Sequence, residues 1–132
     1  MTAAERLGHE YHLGITCSTD SFYAGQSRPG VDGFQAAGSE DRIEALQEAG
    51  VLNFEMEASS ILTLAGVYGL RAGAICTVYA NRATGEFRTE GQQKAAETAS
   101  LAAALLSKMD RIKDRAGVDR WHAGLSLDDA DE

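Results

Sequence analysis

The stretch Arg71–Ala80 constrains the fold more than any other part of this chain, because apolar side chains (Ala74, Ile75, Cys76, Val78, Tyr79) fill nearly all of it. A strand wetted on one side alternates apolar and polar residues; an unbroken apolar run reads as a central strand covered on both faces. The flanking sequence supplies the covers. Thr2–Gly8 reads as the end of a helix with Gly8 as its stop, and Tyr11–Cys17 as a strand with Leu13, Ile15 and Cys17 on one face. Glu40–Ala49 is a helix closed by Gly50, Val51–Glu55 a strand, and Ser59–Tyr68 a helix ended by Gly69. Gln92–Lys113 carries Leu101, Leu105, Met109 and Ile112 at helical spacing, one apolar stripe. Strands alternating with helices imply right-handed crossovers. The expected fold class is therefore α/β: an α/β/α sandwich with a mixed, largely parallel sheet. The chain opens inside a helix, where such folds usually open on a strand with its own ligand loop.

The 132 residues suit one domain, placed at 1–113, with 114–132 as an acidic tail ending in the solvated run Asp128–Glu132. A net charge of -8 argues against nucleic acid or an anionic membrane as partner. Lysine occurs only at Lys94, Lys108 and Lys113, and such an acidic, lysine-poor surface suits work in high salt. Full solubility and activity at low salt would count against that idea. Met1–Glu10 is charged and has no apolar stretch, so no secretory signal is expected and the cytoplasm is the expected compartment. Cys17 and Cys76 sit in apolar contexts without metal-ligand spacing and read as buried free thiols. The apolar run Ala58–Ala80 is broken by Gly69, Arg71 and Gly73, which favours a helix and a strand over a membrane span.

Three polar loops follow three strands: Ser18–Arg28, Glu55–Ser59 and Asn81–Arg88. If the strands run parallel, the loops gather at one edge of the sheet, where open α/β sheets bind ligands. In the second loop Glu55 and Glu57 flank Met56 just before a helix. A carboxylate accepts paired hydrogen bonds, as the vicinal hydroxyls of a ribose offer, and a methionine gives a soft surface for the sugar face. Acidic residues in that position serve as readily as helix caps, and local physics leaves the two readings even. In the first loop the planar amide of Gln26 matches an imide edge, and Arg28 can stabilise charge growing on a carbonyl oxygen. Phe22 or Tyr23 can stack on a flat ring, although a solvated turn with an aromatic anchor explains the loop taken alone.

Taken in order, Phe22–Arg28, Asn53–Ser59, Gly69–Gly73 and Val78–Arg82 resemble the successive motifs of the uridine phosphorylases, in the first nucleoside phosphorylase family. The resemblance spans Ala3 to about Lys108 and implies the C-terminal half of that fold, making 1–113 a partial domain. It implies that Gln26 and Arg28 bind the uracil edge, that Phe22 contacts the nucleoside, and that Met56 and Glu57 bind the ribose. Tyr79 and Ala80 match positions lining the base pocket, and Arg82 matches an arginine near the base-reading pair. The implied reaction is reversible phosphorolysis of uridine to uracil and ribose 1-phosphate, with phosphate as co-substrate, no cofactor and no metal. Gln26, Arg28 and Glu57 would carry the catalysis, by position and electrostatics. Asn81 stands where the related purine phosphorylases have an aspartate; an amide cannot protonate a purine leaving group, which favours a pyrimidine. The family also implies a homo-oligomer, a hexamer.

The family's Gly-rich phosphate loop and phosphate arginines have no counterpart in this sequence. Arg6 and Arg42 read as surface residues of helices, His9 and His12 as structural, and His122 as part of the tail. The chain alone is therefore expected to be inactive. Alternatives are a nucleosidase of the same superfamily, using water in place of phosphate, and a non-catalytic nucleoside-binding module or decayed fragment.

Overall fold

The computed structural model describes residues 1–39, 41–122 and 124–125. The expected helix start at Glu40 and the acidic run Asp128–Glu132 lie outside them. In chain order the elements are α1 (Thr2–Leu7), β1 (Ile15–Ser18), α2 (Arg42–Glu48), β2 (Val51–Glu55), α3 (Ala58–Val67) and α4 (Gln92–Arg115). Two short 3-10 turns, Ala24–Gln26 and Val31–Gly33, interrupt the loop after β1. None of the described helices is long and apolar enough to cross a membrane.

Helix ends fall where the sequence places them. Gly8 takes the left-handed conformation (φ 65°) and its amide returns to Glu5 O, closing α1. Gly69 (φ 66°) does the same after α3, letting the Leu70 amide reach Ala65 O. α1 packs on α4 through buried Ala3 and Ala4 and through the stripe's Leu105 and Ile112. His9 fastens the same seam: Nδ1 lies 3.0 Å from Thr98 Oγ1, whose own proton goes to Lys94 O, and Nε2 lies 3.7 Å from Glu97. Its expected structural role fits this contact.

β1 and β2 pair in parallel, with Cys17 opposite Phe54 and Ser18 opposite Glu55, so the sheet is α/β in character. It holds two strands and is neither mixed nor larger among the described residues. β1 starts at Ile15, later than the expected Tyr11. Leu52 occupies the space beside Gly14, where an added Cβ would stand 2.3 Å from its Cδ1, and the ladder is irregular between Ile15 and Thr16. Tyr11 is drawn instead toward α1, its hydroxyl donating to Glu5 at 2.8 Å.

The largest correction concerns Arg71–Ala80, which forms no strand. Only Ala80 makes a bridge, antiparallel to Phe87. Cys76 is exposed where a buried thiol was expected, and Cys17 is half-buried. The physical reason is that a strand is made by its neighbours. Among the described residues no backbone amide of 71–79 donates to another backbone group. Apolar side chains favour such a ladder but cannot replace it. The segment is held at its ends, by a bidentate Arg71–Asp110 pair at 3.0 and 2.6 Å and by Thr77 Oγ1 donating to Gly91 O at 3.3 Å.

Candidate functional site

Because β1 and β2 are parallel, their C-terminal ends lie side by side, and the residues following them meet. Glu55 accepts a close hydrogen bond from the Ser18 hydroxyl, one from the Glu57 amide at 2.8 Å and another from the Ala58 amide. Ser18 Oγ in turn accepts the Ser59 amide at 2.9 Å. These are the orphan donors of the first turn of α3, so Glu55 is its cap. Partial burial alone would raise the Glu55 carboxyl, but the hydrogen bonds from Ser18, Ala58 and Glu57 outweigh it and hold the group below the ordinary carboxylate range. Glu57 stands at the cap position with its side chain outside this network, exposed, its carboxylate accepting the Met56 amide at 3.3 Å. The two carboxylates that local sequence physics left equivalent are thus sorted.

Glu55→Gln should destabilise the chain by about 1 kcal/mol at neutral pH, as loss of a charged cap does. A folded-state affinity for protons below the unfolded one gives stability that is present above the ordinary carboxylate range and lost as pH falls through the lowered value. The difference in melting temperature between wild type and Glu55→Gln should therefore narrow as the pH is taken from neutral to below the ordinary carboxylate range. A gap of the same size at both pH values would remove the charge from the explanation.

A cleft of about 650 Å³ opens between the strand ends, α2 and the start of α3, lined among others by Thr19, Gly25, Arg42, Met56 and Ser59. Met56 thus faces the loop that follows β1. In that loop the turn Ala24–Gln26 buries Gln26, whose Nε2 donates to Thr19 Oγ1 at 3.3 Å. Ser27 follows in the left-handed conformation (φ 52°) and turns the chain toward Arg28. The Arg28 guanidinium lies 4.3 Å from the centre of the Phe22 ring, which meets Tyr23 edge-on at 5.4 Å. Arg28 Nε is buried with no hydrogen-bond partner among the described residues.

Two arginines from distant elements grip this turn. Arg82 donates from Nη1 to Gln26 O at 2.7 Å and from Nη2 to Ser27 O at 3.5 Å. Arg42 of α2 donates from Nη1 to Ala24 O at 3.1 Å and Gly25 O at 3.3 Å. Four consecutive carbonyls, Ala24 to Ser27, are thereby held by guanidinium groups. Arg42 is not the free surface residue its helix position suggested; no sequence pattern links a residue on α2 to a turn in the preceding loop. Burial, then the neighbouring charge of Arg28, lowers the proton affinity of Arg82.

Arg82 reaches the turn from a tight hairpin. Asn81 Oδ1 accepts the amides of Ala83 at 2.9 Å and Thr84 at 3.1 Å, and the Arg88 amide donates to Tyr79 O at 2.7 Å. Tyr79 and Ala80 form the first arm of that hairpin and do not line the cleft. So Phe22, Gln26, Arg28 and Arg82 come together on one turn, Met56 lines the cleft, and neither that cluster nor Glu57, Tyr79 and Ala80 is part of the cleft's lining.

The family model of the Phosphorylase superfamily matches residues 1–109. A uridine phosphorylase of Thermococcus kodakarensis is 51% identical over 93% of this chain and 44% of its own length. A uridine phosphorylase of Escherichia coli is 36% identical over 73% of this chain and 38% of its own. A guanosine phosphorylase of Halorubrum lacusprofundi is 37% identical over 63% of this chain and 29% of its own. The chain thus spans less than half the length of these relatives. No solved structure matches it.

Proposed function

Because the chain belongs to the phosphorylase superfamily, we propose that it supplies the base- and ribose-binding half of a uridine phosphorylase. In that reading it is the C-terminal half of an α/β/α sandwich, working as part of a homo-oligomer. An oxygen of inorganic phosphate attacks C1′ of uridine, the C1′–N1 bond breaks, and its electron pair leaves with uracil. Ribose 1-phosphate and uracil are the products. Gln26 reads the imide edge, and Arg28 meets the negative charge growing on the base. Phe22 packs against the nucleoside, with Tyr79 and Ala80 at the base pocket. Met56 and Glu57 orient the ribose, and no covalent enzyme intermediate is needed. Asn81 fits this choice of base: its amide offers no acidic proton to a purine.

The observation that carries the reading is the Gln26–Arg28–Phe22 cluster on one turn, with an Arg28 Nε that is buried and unpartnered among the described residues. A buried donor left in this state gains most from an acceptor such as a pyrimidine carbonyl. Calorimetry on the full chain should therefore show uridine and uracil binding, weakened about 10- to 100-fold in Arg28→Ala, as removal of a charged hydrogen bond does. Failure of wild type to bind either compound would refute the reading.

A further inference from the structure

A buried side-chain amide has two unlike ends, and what it reads depends on which end is turned outward. Gln26 is 7% exposed; its Nε2 can only donate and its Oε1 can only accept. Thr19 decides between the two. Its Oγ1 lies 3.3 Å from the Ser21 carbonyl, which can only accept, so the hydroxyl proton goes there. The lone pairs left on Thr19 Oγ1 receive Gln26 Nε2 at 3.3 Å. The nitrogen of Gln26 therefore faces Thr19, and its Oε1 has no donor among the described residues.

Thr19 is itself fixed by the sheet. Its amide donates to Glu55 O at 2.9 Å, continuing the ladder in which Ser18 lies opposite Glu55. The turn Ala24–Gln26 can close on Thr19 because residue 25 is a glycine. A Cβ added there would stand 3.0 Å from Thr19 Cβ and 3.2 Å from Asp20 Oδ1. Two residues after Gln26, Arg28 Nε is a buried donor without a described partner. The turn thus offers one acceptor, on Gln26, and one donor, on Arg28.

We propose that Thr19 is a positioning residue that sets the choice between pyrimidines: by holding Gln26 Nε2 it presents Oε1, which accepts a ring N–H and repels a ring nitrogen that carries a lone pair. The inference rests on the uridine reading and deepens it. Uracil carries N3–H between two carbonyls, so Oε1 takes that proton and Arg28 Nε meets a carbonyl. Cytosine has a lone pair at N3 and an amino group at C4, so lone pair would face lone pair and N–H would face N–H.

The test uses the full chain, with calorimetry on uridine and cytidine and nitrogen-15 NMR of the Gln26 side-chain amide without ligand. Wild type should bind uridine at least about 100-fold more tightly than cytidine, because the wrong base leaves buried polar groups unpaired. Thr19→Val keeps the shape and removes the hydroxyl. It should cut that ratio at least about 10-fold and speed exchange of the Gln26 side-chain protons by a similar factor, whereas Thr19→Ser should keep both. Wild type that binds uridine, with an unchanged ratio in Thr19→Val, would overturn the role of Thr19 and leave the uridine reading standing. Equal weakening of both nucleosides has the same meaning, since a residue that only supports the loop would act that way. Loss of the ratio in Thr19→Ser would also overturn it. Wild type that binds neither nucleoside removes the uridine reading and the base choice with it. Even then, equal Gln26 exchange in wild type and Thr19→Val would refute the hold of Thr19 on the amide.

Discussion

Uridine and phosphate incubated with this chain alone are expected to release no uracil above the uncatalysed background. Phosphorolysis needs a phosphate dianion held against C1′ by several cationic or amide donors, and losing one such donor already costs about 100- to 1,000-fold in rate. Four of the arginines are committed elsewhere. Arg42 and Arg82 hold the carbonyls of Ala24–Ser27, Arg71 pairs with Asp110, and Arg111 donates to Ser107 Oγ at 3.0 Å. The start of α3, which opens on the cleft and would otherwise seat an anion, is filled by the Glu55 carboxylate on the Glu57 and Ala58 amides. A phosphate there would meet the negative charge of Glu55. Chromatographic assay of uracil should find no release that depends on added phosphate. Phosphate-dependent uracil release by the chain alone, lost in Arg28→Ala, would show that a phosphate seat exists after all.

The parts of this fold that local sequence determines were legible, and the parts that depend on neighbours were not. α1, α3 and α4 announce themselves through glycine stops and an apolar stripe, and the structure ends them within a few residues of those signals. β2 falls on Val51–Glu55 as read. Arg71–Ala80 carries an equally strong strand signal and forms none, because a parallel strand needs ladders on either side and side-chain pattern says nothing of whether they are there. The gathering of loops at one edge holds for Ser18–Arg28 and Glu55–Ser59, which share the cleft. The third loop reaches the same turn through Arg82 without its strand. Two contacts were beyond sequence physics: the choice of Glu55 over Glu57 as cap, decided by Ser18 across the ladder, and the hold of Arg42 on the turn.

Arg82→Ala is expected to weaken uridine binding about 10- to 100-fold without removing any group that touches the ligand. Resemblance alone makes Arg82 a base-side contact; its geometry makes it a positioning residue, with both Nη atoms on the carbonyls of Gln26 and Ser27. Carbonyls at the end of a 3-10 turn point their negative ends the same way, and a guanidinium fork can serve two of them. With Arg42 on Ala24 and Gly25 from the other side, the turn that aims Gln26 and Arg28 is gripped along its length. Releasing either grip frees the same turn, so Arg42→Ala should cost a similar factor although it lies on another element. The double variant should lose much less than the product of the two, since a turn already released has little more to lose. Arg82→Lys should recover only part of the affinity, because an ammonium cannot span both carbonyls. Hydrogen exchange supplies the readout that a direct ligand contact would not move: the Ser27 and Arg28 amides, which return to Ala24 O and Tyr23 O, should exchange faster in both single variants with no ligand present. If binding losses multiply and those amides stay protected, Arg82 acts on the base itself and the turn is held by its own backbone.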